Sequence, residues 1–313
     1  MADSTDIRVT GTALYFIPVQ TRVPLKFGPE TLTSVTCARV RVTVADRRGR
    51  TADGWGETPL SVQWVWPSTL AYEVRHQALR QFCLRLAEAW AGLDTWGHPI
   101  EIGHDFQQVV LRPLWDELRA CQMDRQDAGP APAEPMPWLA ALICCSPFDI
   151  ALHDAYGRLH GIDVYQTYRP PFMNRDLAAY LSPADDLSVA DRPVPASPRP
   201  RVSFSGRYPA DYLAASRQQR LLAWHLVGGV DLLDAAERTD AEPDDGYPVV
   251  LADWIRRDGL TCLKIKLRGT DAAWDYERLV RVGRIAVEHG VERLSADFNC
   301  TDQHPVYEND ILD

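Results

Sequence analysis

The sequence predicts an α+β module followed by parallel β-α units, and three observations lead to that class. Residues 38–45 read ARVRVTVA, with Val40, Val42 and Val44 on one face and Arg39, Arg41 and Thr43 on the other. This is the two-residue period of a half-buried strand. Patterns of helical spacing come after it, so strands precede helices. From about residue 222 short apolar runs alternate with helical patterns, the grammar of a parallel sheet built from β-α units.

Taken in order, D-R-R-G-R at 46–50 makes a turn into T-A-D-G-W-G-E, a second strand expected to run out into a loop at Gly54–Glu57, with Trp64 and Trp66 beyond it. After Pro67, Ser68 is expected to cap a long helix carrying Val74, Ala78, Phe82, Leu86 and Trp90 at helical spacing. A second helical pattern covers 104–121. Residues 128–137, AGPAPAEPMP, hold four prolines and cannot continue a helix. Ser146-Pro147 reads as a helix start, Ser as N-cap and Pro at the first helical position, and Gly161 supplies the stop. The stretch 168–212 is irregular. Then LAWHLV is a strand, YPVVLADWIRRDG a helix closed by Gly259, LTCLKIKL a strand, TDAAWDYERLVRVGRIAVEHG a helix closed by Gly290, and VERLSADFN a strand.

A length of 313 residues suits about two domains. The 33 Lys+Arg against 43 Asp+Glu give a net charge of -10 with no basic run, which argues against a nucleic-acid partner. The opening MADSTDIRVTG lacks a charged n-region before an apolar stretch, and no run of about 18 apolar residues occurs, so the expectation is a soluble cytoplasmic protein without a membrane partner. The seven cysteines are scattered, with no C-x-x-C pair, against both a disulfide framework and a zinc knuckle. Dinucleotide, P-loop, zincin and esterase motifs are missing.

The chemistry-bearing residues cluster late in the chain. Alternation in TCLKIKL sets Leu263, Ile265 and Leu267 against Lys264 and Lys266. Two lysines on the inner face of a sheet covered by helices are costly to desolvate. Their mutual repulsion is also the arrangement that makes a lysine usable as a base. In the next strand Ser295, Asp297 and Asn299 share a face, with Asp297 near the C-terminal end, where α/β barrels keep their active sites. The alternative is an amphipathic strand with its lysines in water and an aspartate serving as a turn residue. His98 and His104 read as structural, His225 as a core residue that could border the site, and Asp244-Asp245 as a solvated loop.

The segment C-L-K-I-K-L-R-G, the D-x-x-x-D helix after it and the strand L-S-A-D-F-N resemble the mandelate racemase and muconate-lactonizing branch of the enolase superfamily. D-I-A-L-H-D-A-Y-G-R-L-H-G at 149–161 is similar to that branch's A-L-W-D-x-x-G-K-x-x-G helix, and the sheet at 38–57 to its capping domain. The resemblance implies an N-terminal α+β capping domain at 1–167, a connector or insertion at 168–221, and a partial (β/α) TIM-type barrel at 222–313 with about three of eight strands, apparently truncated at its C-terminus. It implies a Mg²⁺-dependent enzyme that abstracts the proton α to a carboxylate, of the dehydratase, racemase or cycloisomerase kind, acting on a small-molecule carboxylate. Lys266 would be the general base, Lys264 its tuning neighbour, Asp297 the first metal ligand and Asn299 a polar neighbour of the substrate. Residues 21–27 and 54–66 would form two loops over the substrate, with Phe27, Trp55, Trp64 and Trp66 excluding water. The later-strand metal ligands and second acid/base group have no counterpart, so the expectation is a fragment inactive alone. The alternative is a non-catalytic or partner-completed protein that uses the cap and partial barrel as an interaction surface, and the partner expected is a second copy in a homo-oligomer or a completing chain.

Overall fold

The computed structural model describes residues 5–27, 30–126, 134–183, 202–298 and 307. Two compact units divide the chain, one of 1–17 with 36–216 and one of 18–35 with 217–313. The irregular stretch 168–216 therefore counts with the first unit. The tip of the first hairpin counts with the second.

The first unit is built on strands β1 (Ile7–Phe27), β2 (Glu30–Asp46) and β3 (Thr51–Pro59), ordered β1-β2-β3. β2 and β3 are antiparallel, with Val40 opposite Gly56 and Val42 opposite Gly54. The alternation read at 38–45 holds: Val40, Val42 and Val44 are fully buried. Asp46 closes the turn by accepting hydrogen bonds from the backbone N–H groups of Arg48 and Arg50, both at 2.9 Å.

The expected loop at Gly54–Glu57 is instead the middle of β3. Gly54 and Gly56 face inward, and a Cβ at either would collide with backbone atoms of the helix lying over them, those of Ala151 and Ala155 at Gly54 and of Pro147 and Ala151 at Gly56. The glycines thus let a strand and a helix approach closely, while Trp55 and Glu57 alternate outward.

That helix, α5 (Trp138–His160), corrects another expectation. It begins nine residues before Pro147, which sits inside it. Ser146 is no cap; its hydroxyl accepts from the Thr58 hydroxyl at 3.1 Å. Buried positions Ala140, Ala141, Cys144, Cys145, Phe148, Ala151, Leu152 and Ala155 carry the helical period across the proline, and this burial outweighs the one backbone hydrogen bond that proline removes. Gly161 ends the helix at φ 63°, as expected.

Before α5 come α1 (Val62–Val65), α2 (Tyr72–Ala91), α3 (Pro99–Phe106) and α4 (Arg112–Gln126), the last two joined by a π turn at Gln107–Leu111. Ser68 accepts from Leu70 N–H in a turn ahead of α2, whose N-cap is Ala71, so the helix starts later than the sequence suggested. The buried face of α2 is Arg75, Leu79, Phe82, Cys83, Leu86 and Trp90; Val74 is exposed. Glu101 of α3, itself buried, accepts from the N–H groups of His98, Asn174 and Arg175 at 3.0, 2.6 and 2.8 Å, which ties the irregular stretch to the unit.

The second unit contains β4 (Trp224–Val227), α6 (Leu251–Asp258), β5 (Cys262–Lys266), α7 (Ala272–Glu288) and β6 (Arg293–Asp297). Its strands are parallel in the order β4-β5-β6, matching the strands and helices read from the sequence. Val227, Leu251, Ile255, Leu263, Ile265, Leu267, Val282 and Ala286 form its core. The described strands form an open parallel sheet and no closed barrel.

Candidate functional site

The site grows from strand alternation. Leu263, Ile265 and Leu267 are buried against α6 and α7, which forces Lys264 and Lys266 to the other face of β5. Lys266 lies opposite Asp297 in the parallel register, each the last residue of its strand. Lys266 Nζ donates to Asp297 Oδ2 at 2.6 Å, and Lys264 Nζ lies 2.8 Å from the same oxygen. The Lys264 side chain is 45% exposed and that of Lys266 11%, so one ammonium faces water and the other is largely enclosed.

The loop after β5 is held in place by α7. Buried Asp275 accepts from the N–H groups of Arg268 and Gly269 at 2.7 and 2.8 Å and from the Tyr307 hydroxyl at 2.7 Å. Asp271 caps α7 by accepting from Trp274 N–H at 3.1 Å. The two acids of the D-x-x-x-D helix thus shape the backbone beside the lysines. One turn further along the same face of α7, Arg278 donates to Asp231 O at 3.0 Å and to Gly228 O, fixing the turn after β4.

Of the residues expected at the site, Lys264, Lys266 and Asp297 come together. Asn299 lies outside the described residues, and Phe27 ends β1 with its side chain outside them too. Trp66 is 2% exposed and belongs to the core of the first unit, so as a lid residue it is corrected: its indole packs. Trp55 and Trp64 are exposed side chains of the first unit, Trp55 stacked on Tyr15 with centroids 6.1 Å apart. Residues 21–27, expected as a loop, are the end of β1. His225 lies in register with Leu263 on the helix-covered face, against Trp254, and burial pushes its imidazole down.

Sequence reading missed Arg22 and Asp245. The Arg22 guanidinium grips both oxygens of Asp245 at 2.7 Å and donates to Tyr247 O and Pro248 O, both at 3.0 Å, and it holds the Asp245 carboxyl down at about 2. These residues are 223 positions apart. Opposite charge is the one signal they offered.

A Mg²⁺ ion requires several oxygens in octahedral array. Among the described residues no three His, Cys, Asp or Glu side chains converge, and the one carboxylate at the site is shared by two ammoniums. The described donors do not fit the ion. Asp297, expected as a metal ligand, lies within ion-pair distance of both lysines.

No protein-family model matches the chain, and no curated protein does. Solved structures do. The chain is similar to a mandelate racemase/muconate lactonizing protein from Herpetosiphon aurantiacus at 14% identity and a TM-score of 0.45, over 94% of this chain and 54% of that one. It is also similar to a dipeptide epimerase from Enterococcus faecalis complexed with Mg and the dipeptide L-Leu-L-Tyr, at 15% identity and a TM-score of 0.47, over 97% and 57% of the two chains. An N-succinyl Arg/Lys racemase from Bacillus cereus gives 15% identity and a TM-score of 0.49, over 97% and 56%. These are proteins of the superfamily that the motifs resemble. The chain spans a little over half the length of the structures it matches.

Proposed function

We propose that Lys266, Lys264 and Asp297 are the acid/base part of a site that removes and returns the proton α to a carboxylate, as in a racemase or epimerase. One observation supports this above others: two lysines and an aspartate meet at the C-terminal ends of adjacent parallel strands, with the lysine at the strand end largely enclosed. As the free amine, the Lys266 nitrogen takes the proton while the C–H electron pair passes into the carboxylate as an enediolate. As the ammonium drawn to Asp297, it is the form that gives the proton back. Lys264 supplies a second positive charge at the mouth of the site, suited to a carboxylate substrate.

The same reading takes the second unit as part of a (β/α) barrel and the first as its cap, in a cytoplasmic enzyme acting on a small molecule. Magnesium would stabilise the enediolate in such an enzyme, but the described donors do not hold it. Stabilising the intermediate then needs carboxylates other than those of the described residues. On its own, the 313-residue protein is expected to leave α-protons in place. Incubation in D₂O with Mg²⁺ and a panel of a dipeptide, an N-succinyl amino acid and mandelate, followed by proton NMR, tests this. Retention of the α-proton signals is the expected result; steady loss catalysed by the isolated chain would overturn the need for completion.

A further inference from the structure

We infer that Asp275 is a positioning residue of the lysine–aspartate cluster: through the two chain segments it anchors, it sets the separation of Lys266 and Asp297. This rests on the proposed reading of Lys266 and Asp297 as reacting groups, and it names a residue that acts on them through the backbone.

The inference starts from where the hydrogen bonds of Asp275 go. Lys266 and Asp297 end adjacent strands, and one further ladder bond follows them, from Leu267 N–H to Asp297 O at 2.9 Å. Beyond it the chain leaves β5 through Arg268 and Gly269, the latter at φ 70°, a left-handed conformation that suits glycine. Their N–H groups donate to separate oxygens of one carboxylate, Arg268 to Asp275 Oδ1 at 2.7 Å and Gly269 to Oδ2 at 2.8 Å. Tyr307, in the chain that leaves β6, donates its hydroxyl to the same Oδ2 at 2.7 Å. One side chain thus holds the exits of both strands that carry the cluster.

Its own helix does not need it. Asp271 already caps α7 through Trp274 N–H, whereas the Arg268, Gly269 and Tyr307 donors to Asp275 all lie outside the helix. A carboxylate with no exposed surface is costly to bury, and three donors on its two oxygens offset that cost. Movement of either strand end therefore stretches a charge-assisted hydrogen bond in a place without water. The Arg268 guanidinium also lies over the Trp274 ring, 4.1 Å from its centroid, and pins the same turn. The Lys266–Asp297 hydrogen bond, at 2.6 Å, is lost once the strand ends part by about 1 Å.

The test uses the whole chain. Of its 33 Lys and Arg residues only Lys26, Lys264 and Lys266 are lysines, so brief acylation followed by mass spectrometry resolves each amine. In the wild type, Lys266 with its side chain 11% exposed is expected to react more slowly than Lys264 at 45%. Asp275→Asn keeps the shape of the side chain but turns an NH₂ toward the donors, and it is expected to raise the ratio of Lys266 to Lys264 labelling several-fold. Val282→Ala, at a buried position two turns further along α7, costs stability without touching these bonds and is expected to leave the ratio unchanged. An unchanged ratio in Asp275→Asn, or an equal rise in Val282→Ala, would overturn the inference. Should Asp275→Asn not fold, Tyr307→Phe removes one donor and keeps the carboxylate; a smaller rise is then expected, and no rise refutes the assignment. Labelling needs no turnover, so its failure would leave the proposed proton transfer to be decided by the D₂O experiment.

Discussion

His98 shows how much one buried side chain can carry. It precedes α3, its ring accepts from Ile100 N–H at 3.3 Å, and its Nε2 lies 3.0 Å from the Thr167 hydroxyl. Burial, with smaller contributions from His153 and His160, pushes the imidazole from its ordinary 6.5 down to about 3. The folded protein keeps the ring neutral, whereas the unfolded chain takes up a proton once the pH falls below about 6.5. Stability from this group is therefore lost as pH drops through that value. His153 and His160, also lowered by burial, act in the same direction, and Asp149, raised by burial, acts in the opposite one within the carboxylate range. Between about pH 7 and pH 5 the wild type should lose about 2 kcal/mol more than His98→Asn, which keeps a capping group without the titration. Chemical denaturation at the two pH values measures the difference.

At the scale of elements, the contact of β3 with α5 depends on two missing side chains. Gly56→Ala would drive a methyl group into the backbone at Pro147 and Ala151, and the expected cost is about 1–3 kcal/mol or more. Gly283→Ala, in the interior of α7 with open space around it, should instead stabilise by up to about 1 kcal/mol. Opposite shifts in melting temperature check the pair. Regular elements were legible wherever a single period ran unbroken, as in β2, β5, β6 and α7. The start of α5 was not, because Ser146-Pro147 mimics a helix cap and the apolar period crossing it had to be weighed against that local signal. The G-x-G of β3 read as a loop because the helix that needs its glycines is about a hundred residues away in sequence. At the site, alternation alone placed the lysines and Asp297 on one face, but it could not show that all three share one oxygen.

At the scale of the whole molecule, the two cores differ in size. Among the described residues, the first joins a sheet with five helices, and the second is formed by the short strands β4–β6 with α6 and α7, with Trp224 and Leu294 left exposed on the strands. Opening free energies follow the density of buried apolar contacts. Native-state hydrogen exchange should therefore find the amides of β4–β6 exchanging before those of β2 and α5, and equal protection of both sets would contradict the difference in packing.

The π turn at Gln107–Leu111 bears on how the sequence can vary. Inward residues Ile102, Phe106, Leu111 and Trp115 are spaced four, five and four apart, and the wider turn absorbs the five. Loss of one residue at exposed Val109 would restore an even spacing of four and leave Phe106 and Trp115 both facing the core. This helix therefore has a built-in seam where a single-codon deletion is expected to keep the inward face intact, a property usually found only in loops.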